Sequence, residues 1–475
     1  MPLTRHVLCT AEVSCVCFDL SSIRIRRAGV FLALFIGWQA ATNSHAQPSV
    51  NVASPAPNST TDRQTQSVAT VGSAVSGQYR NLFVEAGHSP QDVTAKITAA
   101  YQQLFHGDPA QEAVYFSVGT NANGALAQIR DINSRDVRSE GMSYGMMIAV
   151  QLNRKAEFDA IWNWSKTHMQ RTATNHPARG YFAWSMKTNG VANDEMPAPD
   201  GEEYYATALL FAAERWGNGN GIYNYQAEAN ELLTLMRHRE SITGPTLGGV
   251  KTAGAMFEPE RKMVRFTPDS EFSEHTDPSY HLPAFYEVWA RRGPEKDREF
   301  WKDVATVSRD FFQRTAHPVT GLTPDYSEFN GQPWGTPWNP GATNFVADAW
   351  RSAMNWSVDW AWWRADPRER ELSQRLLSFF KSQGMTNYTY NFTLDGKPLA
   401  NGQSAGLIAM NATAALAVEP EQGKPFVEAL WNLPVPRGQY RYYDGMLHLF
   451  ALLNCGGEFR AWLPDRGAFA RPTAN

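Results

Sequence analysis

Four short acidic segments carry the residues best suited to proton transfer. The first is Ser139-Glu140-Gly141-Met142-Ser143-Tyr144-Gly145-Met146. Gly141 and Gly145 lie four apart and leave one helix face with little bulk, so a substrate or another backbone could approach there. Tyr144 falls one turn from Glu140 on the same face. Glu140 could equally be a first-turn acid favoured by the helix dipole. The second segment is Ala198-Pro199-Asp200-Gly201-Glu202-Glu203-Tyr204-Tyr205-Ala206. Three acids crowd a helix start. If they are buried, like charge raises at least one of their pKa values. If they are exposed, Asp200 caps the helix with Glu203 at the capping-box position. In the third, Asp348-Ala349-Trp350-Arg351, acid and base share a helix side. That spacing makes either a plain i,i+3 ion pair or a general base that the Arg orients and keeps ionised. The fourth runs from Glu274 through Asp277-Pro278-Ser279-Tyr280 to His281. Asp277-Pro278 is a natural helix start, with capping as its ordinary role. His275 and His281 are six apart and outside any H-E-x-x-H pattern, so no metal and no other cofactor is expected.

One protonated and one ionised carboxyl on opposite sides of a bond suit glycoside hydrolysis. An inverting mechanism sets the two about 6.5–9.5 Å apart, with a water between the base and the sugar. Aromatic residues make up 12% of the chain, including 16 Trp. Such rings serve either as core or as flat faces on which sugars stack. Trp184, Trp356 and Tyr443 are expected to line a sugar groove, with core packing as the alternative for each.

The elements that must position these residues are mostly helices. Ser89-Pro90-Gln91-Asp92 reads as a helix start, followed by Val93, Ile97, Tyr101 and Leu104 at helical spacing and closed by Gly107. Further helices are expected near 140–152, 155–170, 202–216, 225–239, 278–292, 295–315, 345–364, 367–382, 405–417 and 424–431, with a last one from Asp444. Short β-like runs at Tyr181-Phe182-Ala183-Trp184 and Met263-Val264-Arg265-Phe266 interrupt them. Eleven or twelve helices in pairs, without a βαβ rhythm or a solenoid repeat, argue for an all-α toroid over residues 78–475.

The 475-residue chain is 43% hydrophobic and 19% charged, an ordinary globular balance. Arg24, Arg26 and Arg27, the apolar run Val30 to Trp38, and Ser44-His45-Ala46 read as a signal peptide cut after Ala46. The run is short for a membrane span, although an uncleaved anchor is the alternative. Residues 1–22 make this leader longer than usual, and a different start codon would explain that. The leader holds four Arg against two acids, so its removal takes the formal charge from −4 to −6. That balance argues against a nucleic-acid partner. Cys9, Cys15 and Cys17 fall in the leader and leave Cys455 alone, so no intramolecular disulfide is expected. Residues 47–77, rich in Ser, Thr, Ala and Pro, read as a disordered linker, with order beginning near Tyr79. The expected product is a secreted or periplasmic monomer with no stable membrane association.

Together the four segments resemble glycoside hydrolase family 8, in the family's order and over nearly all of residues 78–460. The family signature A-[ST]-D-[AG]-D-x-x-[IM]-A is met by Ala198 to Ala206 with departures at Pro199, Glu202 and Tyr205, which resemble the xylan-acting branch. The resemblance implies an inverting, metal-independent six-hairpin (α/α)6 barrel. In it Glu140 would be the general acid, Asp348 the general base, and Asp200 the acid that holds and distorts the −1 sugar. Tyr280 would stand near the attacking water. Tyr144, Asp277 and Arg351 join these as expected substrate-binding residues. The implied partner is xylan or xylo-oligosaccharides. Members that release xylose from the reducing end resemble one another in a Leu-His-Pro kink. The corresponding stretch here, Leu399 to Leu407, has no His-Pro. Endo-xylanase action is therefore the expectation, with reducing-end release as the alternative. Cellulose or chitosan as substrate, or a non-catalytic glycan-binding protein, are the remaining readings.

Overall fold

The structure, a computed structural model, describes residues 71–464. The expected leader and residues 47–70 of the expected linker lie outside the described residues. Twelve helices of ten or more residues dominate: α1 (Pro90–His106), α2 (Ser139–Gln151), α3 (Lys155–Trp164), α4 (Pro199–Trp216), α5 (Tyr225–His238), α6 (Pro283–Arg292), α7 (Arg298–Thr315), α8 (Arg351–Trp363), α9 (Arg368–Ser382), α10 (Ala405–Ala414), α11 (Pro420–Asn432) and α12 (Arg441–Cys455).

Burial sorts them into two sets. In α2 every residue but Glu140 is buried, and in α10 every residue but Ala405. Sequences so apolar or small on all sides belong inside other helices. The odd-numbered helices mostly bury a stripe. In α7 the buried residues include Trp301, Val304, Ala305, Ser308, Phe311 and Phe312, at the i, i+3, i+4, i+7 spacing of a one-faced helix. Contacts follow the same division. The even helices touch in the order α2, α4, α6, α8, α10, α12, and α12 returns to α2. Each also packs mainly on one odd helix: α2 on α3, α4 on α5, α6 on α7, α8 on α9, α10 on α11, and α12 on α1.

Local chemistry explains several boundaries. Ser89 accepts from the Asp92 N–H at 3.1 Å and Pro90 opens α1, as the sequence predicts. Helix α4 starts at Pro199, three residues before the expected start, because Pro is well suited to a first helical position. Five expected helices are divided: 155–170 closes in a π turn (Ser165–Met169), 405–417 closes in a 3₁₀ turn (Ala415–Ala417), 295–315 opens in one (Glu295–Asp297), and so do 278–292 and 345–364. Residues Pro278–Tyr280 and Ala347–Trp350 form separate 3₁₀ turns ahead of α6 and α8. Asp277 caps the former, accepting from the Ser279 N–H at 2.7 Å.

Among the described residues the β content is three antiparallel strand pairs and one three-stranded antiparallel sheet. Of the expected run Met263 to Phe266 only Met263–Val264 is a strand, paired with Phe257–Glu258. The run Tyr181 to Trp184 makes only an isolated bridge, Phe182 with Gln170, and the strand begins at Ser185. That strand, Ser185–Lys187, pairs with Asp136–Arg138. Ser73–Ser76, expected as the end of the linker, is helical, and Ser73 Oγ donates to the Ala361 carbonyl at 2.9 Å.

Candidate active site

The first turns of α2, α4 and α12, the 3₁₀ turns before α6 and α8, and the N-cap of α10 meet at one cavity of about 730 Å³. Helix α2 brings Glu140, and α4 brings Asp200. The turn before α6 brings Tyr280, the turn before α8 brings Asp348, and α10 and α12 bring Ser404 and Tyr443. Helix N-termini carry partial positive charge, which favours carboxylates here over the opposite helix ends.

Arg351 organises the acids. Its side chain is only 2% exposed, and its Nη1 donates to Glu140 Oε2 and to Asp200 Oδ2, both at 2.9 Å. The same nitrogen donates to the Tyr144 hydroxyl. Nη2 donates to Ser279 Oγ at 2.9 Å and lies 3.3 Å from Asp348 Oδ1. The Asp348–Arg351 spacing works because a 3₁₀ turn eclipses residues three apart. Glu140 and Asp348 are thus joined through a guanidinium instead of directly. Such a pair can use a water on one side and protonate a leaving oxygen on the other.

The environments of these carboxyls differ. Burial pushes Glu140 up to about 7; Arg351 opposes this, while Asp200 and Asp348 add to it. Tyr442 donates to Glu140 Oε1 at 2.7 Å. Burial also raises Asp200, against the pull of Arg351, and the Gly201 N–H donates to its Oδ1 at 2.9 Å. Asp348 is 36% exposed at its side chain, and Tyr443 donates to its Oδ1 at 3.2 Å.

Trp184 enters through strand register. The Ser139 N–H donates to the Trp184 carbonyl at 3.0 Å, so the ring stands beside the residue preceding Glu140 on the cavity wall. Six expectations need correction. Trp356 does not line the groove: it is 1% exposed, donates to Ser373 Oγ and packs edge-on against Phe312. Tyr144 and Asp277 are buried behind the cavity wall, and so is Arg351, whose role is to hold side chains. Gly141 and Gly145 make room for side chains, not for substrate or backbone. A Cβ on Gly141 would sit 2.6 Å from the Tyr442 hydroxyl, and one on Gly145 2.7 Å from Ile129 Cγ1. Asp200 does not cap α4, since it lies inside the first turn. His275 stacks on Phe266, and His281 bonds Ser308 and Thr276, so their rings are committed to separate packing.

Sequence reasoning missed Tyr442, Asp325 and Trp350. Tyr442 adjoins Tyr443, and only the helix phase decides which hydroxyl reaches Glu140. Trp350 lines the cavity inside a segment already singled out. Asp325, buried near Asp348, lies in a loop without periodicity.

Comparison with known proteins shows the family. The profile of glycosyl hydrolases family 8 matches residues 115–457. A reducing-end xylose-releasing exo-oligoxylanase of Paenibacillus barcinonensis is 39% identical over 393 residues, 82% of this chain and 98% of the relative. One from Halalkalibacterium halodurans is 39% identical over 400 residues, covering 83% and 97%. The xylohexaose complex of a catalytic mutant of a xylanase from Teredinibacter turnerae superposes with a TM-score of 0.81 at 58% identity, covering 83% of this chain and all of that one. With its acids gathered at one cavity and its profile matched across most of the described residues, this chain belongs to glycosyl hydrolases family 8.

Proposed function

We propose that this enzyme hydrolyses β-1,4-xylosidic bonds by a single displacement with inversion. One observation carries the reading: a single buried guanidinium, Arg351, gathers Glu140, Asp200 and Asp348 at one cavity. Glu140, raised to about 7, holds a proton near neutral pH and gives it to the glycosidic oxygen as that bond breaks. Asp348 takes a proton from the water that attacks the anomeric carbon from the other face. The new sugar end is the α-anomer. The enzyme then resets by exchange with solvent, Asp348 releasing one proton and Glu140 taking one up. Asp200 holds the −1 sugar, Tyr280 stands by the water, and Trp184 and Tyr443 offer ring faces.

The relatives bear on the mode of cutting. Two of them, matched over nearly their whole length, are named as releasing xylose from the reducing end. We therefore put stepwise reducing-end release ahead of the endo action expected from sequence. Endo cleavage stays as a second reading on two specific observations. Leu399 to Leu407 lacks the His-Pro of the kink, and the 58% identical xylanase was captured with xylohexaose. The order of helix contacts supports the (α/α)6 six-hairpin barrel as the finer fold. The leader supports export and cleavage after Ala46, which the mass of the mature protein checks.

The test uses xylohexaose and its borohydride-reduced form. Reducing-end release gives single xylose from the first and nothing from the second. Internal products from both would establish the endo reading. Turnover of carboxymethylcellulose or chitosan but not xylan would overturn the substrate class, and a β-anomer as first product in ¹H NMR would overturn inversion.

A further inference from the structure

The 3₁₀ turn that carries Tyr280 is too short to meet its own last carbonyls. Side chains meet them instead. Asn355 Nδ2 donates to the Ser279 carbonyl at 2.7 Å, and the Tyr286 hydroxyl reaches the Tyr280 carbonyl at 3.0 Å. The Tyr280 ring stands on the cavity wall. It lies parallel to Phe266, with 6.0 Å between centroids and 4° between planes, and the Arg351 guanidinium is 5.9 Å from its centre. These ring contacts fix its plane. How far the ring reaches into the cavity is set by the backbone, which Tyr286 holds at that residue.

Tyr286 comes from α6 and is fully buried, edge-on to Phe257 at 5.6 Å. A second acceptor faces the same hydroxyl: Glu203 Oε1, from α4, at 2.6 Å. One hydroxyl has one proton and cannot donate to both oxygens. A neutral Glu203 removes the conflict, because its own proton goes to the tyrosine oxygen and leaves the tyrosine proton for the Tyr280 carbonyl. Two observations favour that arrangement. Glu203 Oε2 is buried without a hydrogen-bond partner, which a carboxylate tolerates far less than a neutral acid does. Burial also holds Glu203 well above its ordinary range, with Asp200 and Glu202 adding to it and Tyr286 and Arg351 opposing. The hydrogen bonds therefore run in one direction, from Glu203 on α4 through Tyr286 on α6 to the carbonyl of Tyr280. Apolar side chains would fill the same space with no polar atom to satisfy. What the polar pair adds is a grip on that carbonyl.

We propose that Tyr286, backed by Glu203, is a positioning residue that holds the Tyr280 turn and so sets the ring that stands by the attacking water. This rests on the reading of Tyr280 as the residue beside that water.

The test measures kcat, KM and Tm in the full chain for Tyr286→Phe, Glu203→Gln and Tyr280→Phe, on xylohexaose and on β-xylobiosyl fluoride. Both substrates need the attacking water, but fluoride leaves without a proton. Tyr286→Phe should lose at least about five-fold in kcat on both, with KM within two-fold of wild type. Glu203→Gln, whose amide N–H also donates to the tyrosine oxygen, should keep kcat within two-fold. If Tyr286→Phe does not fold, the double variant Tyr286→Phe/Glu203→Leu, which leaves no stranded acid, takes its place with the same expected loss. Turnover within two-fold of wild type in whichever of these is used would overturn the proposal. So would a loss on xylohexaose alone, which marks a fault in proton donation, and so would a Glu203→Gln variant as slow as Tyr286→Phe. Tyr280→Phe separates the two readings. If it is slowed while Tyr286→Phe is not, only the positioning role fails. If it keeps wild-type turnover on both substrates, the reading of Tyr280 itself fails.

Discussion

Two buried arginines in this molecule each hold several carboxyls, and they do so in opposite ways. Arg309 grips Asp359 with both arms of its fork: Nε to Oδ2 at 2.7 Å and Nη2 to Oδ1 at 2.9 Å. It also holds Glu287 at 2.9 Å, and Glu369 lies beside Asp359. This knot between α6, α7, α8 and α9 is sealed, with Asp359 and Glu369 fully buried. Arg351 fans out instead, giving one nitrogen to Glu140, Asp200 and Tyr144 and the other to Ser279 and Asp348. No carboxylate takes its whole fork, and Glu140 and Asp348 keep access to the cavity. The electrostatic consequences differ too. Arg309 and Arg291 hold Glu287 below the ordinary range, whereas around Arg351 burial outweighs the cation and leaves Glu140 high. Paired forks favour stability; a shared guanidinium at a cavity leaves acids poised to exchange protons.

The largest effect should come from breaking both knots in parallel. Removing one partner of a buried pair costs about 3–5 kcal/mol. Asp359→Ala should lose that much stability in urea titration while turnover per folded molecule is kept. Arg351→Ala should lose a similar amount and turnover as well. Equal loss of turnover in both variants would erase the distinction. Next is pH. Glu140 must be protonated to act, so kcat/KM on xylohexaose should fall as pH rises through about 7. Activity that instead climbs through that range would contradict the assignment. A smaller effect is expected from Gly141→Ala, whose Cβ would push Tyr442 away from Glu140: about a ten-fold loss of kcat with Tm little changed. The smallest is a stability profile. Glu203 is fully buried, and burial holds it well above its ordinary 4.5. The folded state therefore binds a proton that the unfolded chain gives up above pH 4.5. The stabilisation is complete below that pH and declines as pH rises toward the folded value. Glu203→Gln should flatten the fall in Tm between pH 5 and 8, and an unchanged slope would remove Glu203 as its source.

Much of this was legible in the sequence, for local reasons. Glu140, Asp200 and Asp348 sit at helix starts among Gly and aromatic residues, and start signals are short-range. Arg351 was readable as the partner of Asp348 from spacing alone, but its reach to Glu140 and Asp200 crosses three helices and leaves no mark in the chain. Trp356 was misplaced because the residues around it in α8 are almost all buried, so periodicity cannot say which side faces a cavity. Asp325 was invisible for another reason. Its position depends on the bridge between Thr276 and Ser327, fifty-one residues apart in the sequence.

The central claim is that Glu140 supplies the proton to the leaving oxygen. Its most direct test compares Glu140→Ala on xylohexaose and on β-xylobiosyl fluoride, whose fluoride departs without a proton. The account predicts a loss in kcat of about 10²–10⁴ on xylohexaose and less than ten-fold on the fluoride. Equal losses on both substrates, or wild-type turnover of xylohexaose, would contradict it.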